Sequence, residues 1–425
     1  MKICVVGGGS TYTPELAEGF IEHHVELGLS CLSLTDINEH RLGIVGRLIR
    51  RMFSKAGLAV QVEMTTDRRR ALEGADFVVA QIRVGGLKAR ELDERIPMRY
   101  GIIGQETTGP GGFAKALRTI PVMLDIASDI GQVAPEAWLI NFTNPSGLVT
   151  EALNLHGDVH TIGLCNGPIN TIRRIAGLLQ AAPSDISLDY VGLNHLAWVR
   201  GVACRGRDVT AEVLEKALDQ GDRTYGGSYP VFLREAIEVL GMIPSGYLRY
   251  YYSHDDVLEK AKRATQTRAV EVMRIDEQLM EMYSDPDLKE KPDLLAQRGG
   301  ALYSKAAVSL ISAIARDKGE VHIVNVPNHG TFPELSYEDV VEVPCVVGAS
   351  GPRPLAGVDL PVVVRGLIQA VKAYEVLTVR AAVTGNETYA VQALLAHPLV
   401  GQIEIARELW REIRAAHPQY LSYFD

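Results

Sequence analysis

Residues 1–16 read MKICVVGGGSTYTPEL, and this stretch decides the fold. An apolar run, Ile3 to Val6, breaks at Gly7-Gly8-Gly9 and leads through Ser10 into Thr13-Pro14-Glu15. Proline suits the first helical position, where a missing N–H costs nothing, and Thr13 can cap from just before it. Strand, glycine turn and helix start in this order bring backbone N–H groups together where a pyrophosphate can sit. The next apolar run, Cys31 to Thr35, ends in Asp36, where a carboxylate can hold a ribose hydroxyl. A dinucleotide site is the reading, and an acid rather than an arginine at position 36 favours NAD over NADP. Counting G-x-G-x-x-G from Gly7 puts Tyr12 where the third glycine belongs, so a wider turn is expected.

Outward from this turn, short apolar runs alternate with helical stretches. The expected strands are Lys2 to Val6, Cys31 to Thr35, Val60 to Glu63, Asp76 to Ile82, Ala137 to Asn141 and His160 to Leu164. Helical periodicity runs through Arg41 to Lys55, Phe113 to Ile130 and Ser146 to Leu155. Such alternation gives an α/β fold, a Rossmann-like doubly wound parallel sheet with functional groups at the carboxyl ends of its strands. Residues 1–170 are read as this domain and residues 171–425 as an α+β domain. The second half carries strands at Ser187 to Leu193 and Val321 to Val326. Its long helical stretches are Asp255 to Tyr283, Pro361 to Thr384 and Gly401 to Ala415. The breaker-rich segment Gly348 to Gly357 reads as a surface excursion.

The chain has 425 residues, 47% hydrophobic and 22% charged, the balance of a water-soluble enzyme. No apolar stretch reaches the length of a membrane span, so no membrane partner is expected. A net charge of −9 argues against non-specific nucleic-acid binding, and an anionic substrate would need locally placed arginines. Five scattered cysteines without paired spacing fit a reducing, cytoplasmic setting.

Cys165 ends the run HTIGLC, and Asn166-Gly167-Pro168 after it forms a polar turn that would expose the thiol. A lone cysteine is more often a small buried hydrophobe. His195, in the strand-like run VGLNHLAWV, is by the same logic more often a core residue than a ligand. The two could share a metal if the second half folds back over the sheet edge. GYLRYYY supplies Tyr247, Tyr250, Tyr251 and Tyr252, mostly a packing face, of which one could serve as a base. Arg83 stands at a strand end in QIRVGGLKAR and Arg268 in the helical TRAVEVMRIDEQL. Arginine binds phosphate through paired, charge-assisted hydrogen bonds. A surface salt bridge fits Arg268 better than Arg83.

GGGSTYTPEL, Arg83 to Leu87, GQETTGPGG, NFTNPSG, GLCNGPI, GLNHL and YLRYY resemble, in content and order, the family 4 glycoside hydrolases. The resemblance runs from residue 1 to about 385, and Asn166 after the cysteine is similar to the 6-phospho-β-glucosidase branch. That branch usually carries a larger apolar residue where this chain has Gly167. The resemblance implies a second domain of lactate/malate dehydrogenase type. It implies NAD contacts at Gly7, Gly9, Ser10 and Asp36, and Mn2+, or another divalent ion, on Cys165 and His195. It implies Tyr247 as base, with Glu106 raising its basicity. Arg83, Asn144, Asn166 and Arg268 become contacts of a phosphorylated disaccharide or aryl glycoside, and the protein a homodimer or homotetramer.

The implied reaction is hydrolysis by oxidation at carbon 3, elimination, addition of water and reduction. Family 4 is a recognised exception to two-carboxylate glycosidase chemistry. The alternatives are another family 4 specificity or a hydroxy-acid dehydrogenase, although His195 sits in LNHLA rather than in a Gly-Glu-His-Gly turn.

Overall fold

The computed structural model describes residues 1–220, 232–298, 303–355 and 359–424. Five parallel pairings order six strands β3-β2-β1-β4-β5-β6. These are β1 (Lys2–Val6), β2 (Cys31–Thr35), β3 (Gln61–Thr65), β4 (Phe77–Ala80), β5 (Trp138–Asn141) and β6 (Thr161–Gly163). The strand order reverses between β1 and β4, which opens a crevice at their carboxyl ends. Central strands read as unbroken apolar runs because both faces are covered: Ile3, Cys4, Val5, Val78, Val79, Leu139 and Ile140 are fully buried.

The second half adds a hairpin, β7 (Ile186–Leu193) and β8 (Leu196–Cys204), flanked by β9 (Arg207–Asp208) and β10 (Ile243–Pro244). Three further strands do not stand apart. β11 (Glu320–Pro327), β12 (Val340–Gly348) and β13 (Gly351–Pro354) run antiparallel and extend the first sheet to nine strands, joining it at β6. The joint is tight. Asn325 of β11 lies opposite Gly163 of β6, where a Cβ would meet Thr150 Oγ1 at 2.2 Å and Asn325 Cβ at 2.8 Å. One hydrophobic cluster runs from Ile3 through Val341 and Val343 to Phe424, so the apolar interior is continuous across residue 170. Among the described residues no helix is long and apolar enough to cross a membrane.

Several expectations are corrected. The first helix starts at Thr13, with Tyr12 as its cap residue and Pro14 second. Thr13 does not cap; its hydroxyl donates to the Gly8 carbonyl at 3.0 Å and accepts from Gln81 Nε2 at 2.8 Å, tying the glycine turn to β4. The stretch Asp255 to Tyr283 is two helices, His254–Arg263 and Arg268–Ser284, because the Thr267 side chain accepts from Val270 N and restarts the second. Gly348 to Gly357 is no simple excursion, since β13 pairs with β12 through Gly351 to Pro354. Residues 356 and 357 lie outside the described residues. His195 is not in a strand. It forms with Asn194 the turn between β7 and β8, at a φ of 64° that non-glycine residues seldom adopt.

Candidate active site

One cavity of about 1340 Å³ lies over the carboxyl ends of β1, β2 and β4. Gly7, Gly9, Ser10, Asp36, Arg83, Glu106, Asn144, Asn166, Tyr247 and Arg268 all line it. It is larger than the ~300–1,000 Å³ of a common small-molecule site.

At one end, Gly7 and Gly8 donate to the Thr35 carbonyl, both at 2.9 Å, and Gly9 N donates to Asp36 Oδ2 at 2.9 Å. A Cβ on Gly9 would reach that same oxygen at 2.9 Å, so only glycine lets the turn lie against the acid. Asp36 Oδ1 accepts from Asn38 N at 2.9 Å, and further lone pairs of the carboxylate are left for a hydroxyl donor. These groups fit the ribose and pyrophosphate of a dinucleotide.

Cys165 Sγ lies 3.4 Å from His195 Nε2; neither lines the cavity, but Asn166, next to Cys165, does, and so does Tyr247, which stacks on His195. Two ligands of one ion, bound at ~2.0–2.3 Å, stand about 3–3.7 Å apart, so the pair suits a shared divalent cation. Burial and the charge of Lys115 push His195 down to about 3 against Glu106, leaving a neutral imidazole. Burial and Glu342 push the Cys165 thiol up to about 12 although Gly167 and Asn194 hydrogen-bond the sulfur. Among the described residues no third histidine, cysteine or carboxylate completes a cluster, which leaves positions for substrate oxygen.

The Tyr247 ring stacks on His195, centroids 3.7 Å apart and planes at 4°, held by the short turn Gly246–Leu248 that follows β10. Tyr250 tilts against it at 6.1 Å.

Glu106 is the hub of a charged cluster. It pairs with Arg83, with Arg90 at 3.0 Å and with Lys115 at 2.8 Å. Burial pushes its carboxyl up, but Arg83, Lys115 and Arg90 outweigh this and hold it well below the usual range. Burial and Arg83 bring Lys115 down to about 7, against the pull of Glu106. Arg90 is electrostatically coupled to Tyr247 and also pairs with Glu94 at 2.7 Å.

Asn144 donates to the Phe142 carbonyl at 3.3 Å, and its buried Oδ1 has no partner among the described residues, which fits a donor on a bound molecule. Arg268 opens its helix, donates to the Gln297 carbonyl at 2.7 Å and pairs with Glu271 at 2.7 Å. A Cβ on Gly167 would meet only Cys165 Sγ, at 3.5 Å, so this glycine answers no local crowding.

Sequence reasoning missed Arg41, Arg90, Lys115, Asp276 and Arg298, all of which line the cavity. Asp276 accepts from Thr11 at 2.6 Å and from both Arg41 terminal nitrogens, at 2.9 and 3.2 Å. Arg298 lies over the Tyr12 ring at 6.0 Å, its buried Nε without a hydrogen bond among the described residues. Only Arg90 left a local signal, its i,i+4 spacing from Glu94, and that spacing is common on solvated faces.

Fold and cavity define a protein of the dinucleotide-binding class, with a thiol–imidazole pair behind Tyr247. Matching models assign the chain more narrowly. The model described as Family 4 glycosyl hydrolase matches residues 2–181, and that of the Family 4 glycosyl hydrolase C-terminal domain matches residues 190–400. The chain belongs to glycosyl hydrolase family 4. It is 44% identical to a probable 6-phospho-beta-glucosidase of Bacillus subtilis (strain 168), covering 100% of this chain and 98% of that one. The solved 6-phospho-beta glucosidase of Thermotoga maritima with manganese, NAD+ and glucose-6-phosphate superposes with a TM-score of 0.91. It is 36% identical and covers 99% of each chain. A malate dehydrogenase from Plasmodium falciparum, 13% identical with a TM-score of 0.54 over 90% of this chain and 98% of that one, shares the fold alone.

Proposed function

We propose that the chain hydrolyses 6-phospho-β-glucosides to glucose 6-phosphate and an aglycone, using NAD and a divalent ion, Mn2+ by preference. The observation that carries this reading is that Tyr247 lines the cavity of the dinucleotide turn and stacks on His195, whose imidazole lies 3.4 Å from the Cys165 sulfur. The relatives named above support the substrate class. Five free thiols suit a reducing, cytoplasmic setting, and we extend the proposal to a homodimer or homotetramer.

Gly7, Gly9, Ser10 and Asp36 would hold NAD, and Cys165 and His195 the metal. When bound, the cofactor supplies a hydride acceptor for carbon 3 of the sugar and the ion a Lewis acid for the oxygen there. Oxidation at carbon 3 makes the proton on carbon 2 acidic, and Tyr247 removes it. A positioned base of this kind contributes ~10²–10⁴-fold. A cation beside a phenol favours its anion. Arg90 supplies that cation, and Glu106 offsets part of its charge, which keeps the phenolate basic. The glycosidic oxygen then leaves from carbon 1 and takes its proton from water, with Asn166 able to hydrogen-bond it but not to protonate it; water adds at carbon 1 as Tyr247 returns a proton to carbon 2. Returning the hydride regenerates NAD.

Arg83 and Arg268 would hold the 6-phosphate, and Asn144, whose buried Oδ1 takes a donor, would meet a hydroxyl of the same sugar phosphate. Arg83→Ala and Arg268→Ala are each expected to raise KM for 6-phosphorylated substrate, by about 2–5 kcal/mol where the pair is desolvated. The more exposed Arg268 belongs at the low end of that range. Unphosphorylated β-glucosides should be essentially inert. A panel of nitrophenyl glycosides, phosphorylated and not, α and β, tests the proposal, and equal turnover with and without phosphate refutes it.

Asp36→Ala should weaken NAD binding by about 1.5–3 kcal/mol, the scale of a hydrogen bond to a charged group. Calorimetry on the variant reads this directly, and unchanged affinity would remove Asp36 from the cofactor site.

A further inference from the structure

The geometry points to Glu342 as a positioning residue for the metal centre. This buried carboxylate on β12 fixes the turn that carries His195, and its charge draws a dication to the Cys165–His195 pair. The inference rests on the reading of that pair as metal ligands.

Glu342 is 1% exposed. It accepts three hydrogen bonds: from the Tyr190 hydroxyl on β7 at 2.8 Å, from Asn194 Nδ2 at 3.0 Å and from Asn325 Nδ2 on β11 at 3.2 Å. Each donor leads toward the site. Asn194 is the neighbour of His195 in the β7–β8 turn, and its Oδ1 accepts from Gly147 N at 3.3 Å. Asn325 also reaches the Gly163 carbonyl at 3.4 Å, two residues before Cys165. One carboxylate thereby ties β11 and the end of β6 to the strand and turn that present the imidazole. An asparagine in that turn satisfies three partners at once, Glu342, Gly147 N and the Cys165 sulfur, which defines the backbone of a residue held at positive φ.

All three donors are neutral. Other buried carboxylates here have a cation: Asp93 has Arg118 at 2.7 Å, Glu151 has Lys372 at 2.5 Å, and Glu106 has three. None of the ion pairs among the described residues includes Glu342. Burial pushes the Glu342 carboxyl above its usual value, and the hydrogen bonds from Asn194, Tyr190 and Asn325 offset only part of that cost. Asn194 links the two groups, since it donates to the Glu342 carboxylate and also hydrogen-bonds the Cys165 sulfur. With an ion bound, thiolate and carboxylate would together present two negative charges around a neutral imidazole, the complement of a divalent ion. Glu342 needs no bond to the ion for this, since groups behind the ligands orient them and set their charge.

The test titrates Mn2+ into chelator-stripped protein and follows free Mn2+ by electron paramagnetic resonance. Glu342→Gln keeps size and most hydrogen bonding but removes the charge. It is expected to raise the Mn2+ dissociation constant ~10–100-fold, with circular dichroism and NAD affinity unchanged. Glu342→Asp restores charge at the expense of shape and should recover part of the affinity. Parent-like Mn2+ binding by the Gln variant overturns the inference, and so does an Asp variant weaker than Gln, which would mean shape rather than charge. His195→Ala runs in parallel: lost binding there beside parent-like Glu342→Gln overturns this inference alone. Parent-like binding in His195→Ala overturns the ligand reading with it. If Glu342→Gln does not fold, Tyr190→Phe removes a hydrogen bond that reaches the carboxylate alone. Several-fold weaker Mn2+ binding is then expected, and parent-like binding overturns the inference.

Discussion

Cys165→Ser enzyme should fold, bind NAD and turn over at less than about one-thousandth of the parent rate, the scale of a lost Lewis-acid contribution of several kcal/mol. Serine nearly preserves the volume of the side chain, so the buried packing around position 165 should survive. What is lost is a soft anion 3.4 Å from His195 Nε2. The parent thiol is buried and pushed up to about 12, so it ionises at neutral pH only with a cation beside it. Metal loading must therefore release a proton, and chelator should abolish parent activity until Mn2+ is returned. Oxidation of the thiol should block loading in the same way. The measurement pairs a rate assay with bound-metal analysis before and after chelation. A serine variant that keeps full activity after chelation makes Cys165 a core residue and nothing more.

Tyr247→Phe keeps the ring that stacks on His195 at 3.7 Å and deletes only the hydroxyl. The variant should fold, bind NAD and Mn2+, and lose ~10²–10⁴-fold in turnover. Hydrolysis by the parent in heavy water should place deuterium at carbon 2 of the released sugar phosphate, because elimination breaks that bond and direct displacement does not. No net NADH should accumulate, which separates the reaction from that of a hydroxy-acid dehydrogenase. Exchange and turnover should fall together in the variant. Product without solvent deuterium excludes elimination, and an active Tyr247→Phe moves the base elsewhere.

The first sheet was legible because its signals are local. Apolar runs bounded by glycine and acid gave β1 and β2 with their observed ends, and the periodicity of Ser146 to Leu155 matches the helix Ser146–His156 to one residue. The continuation of that sheet was not legible. Val321 to Val326 reads as a strand, but its partner at β6 lies some 160 positions earlier, and no local pattern announces such a pairing. The turn at His195 was missed for a related reason. Asn194 and His195 interrupt two apolar strands without glycine or proline to mark a reversal, and the hydrogen bonds holding Asn194 come from distant residues. Lys115, Arg90 and Arg298 sit in helical or turn segments where a charged residue ordinarily faces water. Their burial follows from the fold, not from their neighbours in sequence.

The nine-stranded sheet has a mechanical consequence. Strands bearing the glycine turn, Cys165 and the Glu342 network belong to one hydrogen-bonded body, so a hinge between the two halves would have to tear the joint at Gly163. Domain closure of the kind that engulfs a ligand is thereby ruled out as an inexpensive motion, and gating falls to side chains and loops at the rim. The second sheet, which carries His195, is tied to this body through the Glu342 hydrogen bonds to Tyr190 and Asn194, so the spacing of thiol and imidazole depends on those few bonds.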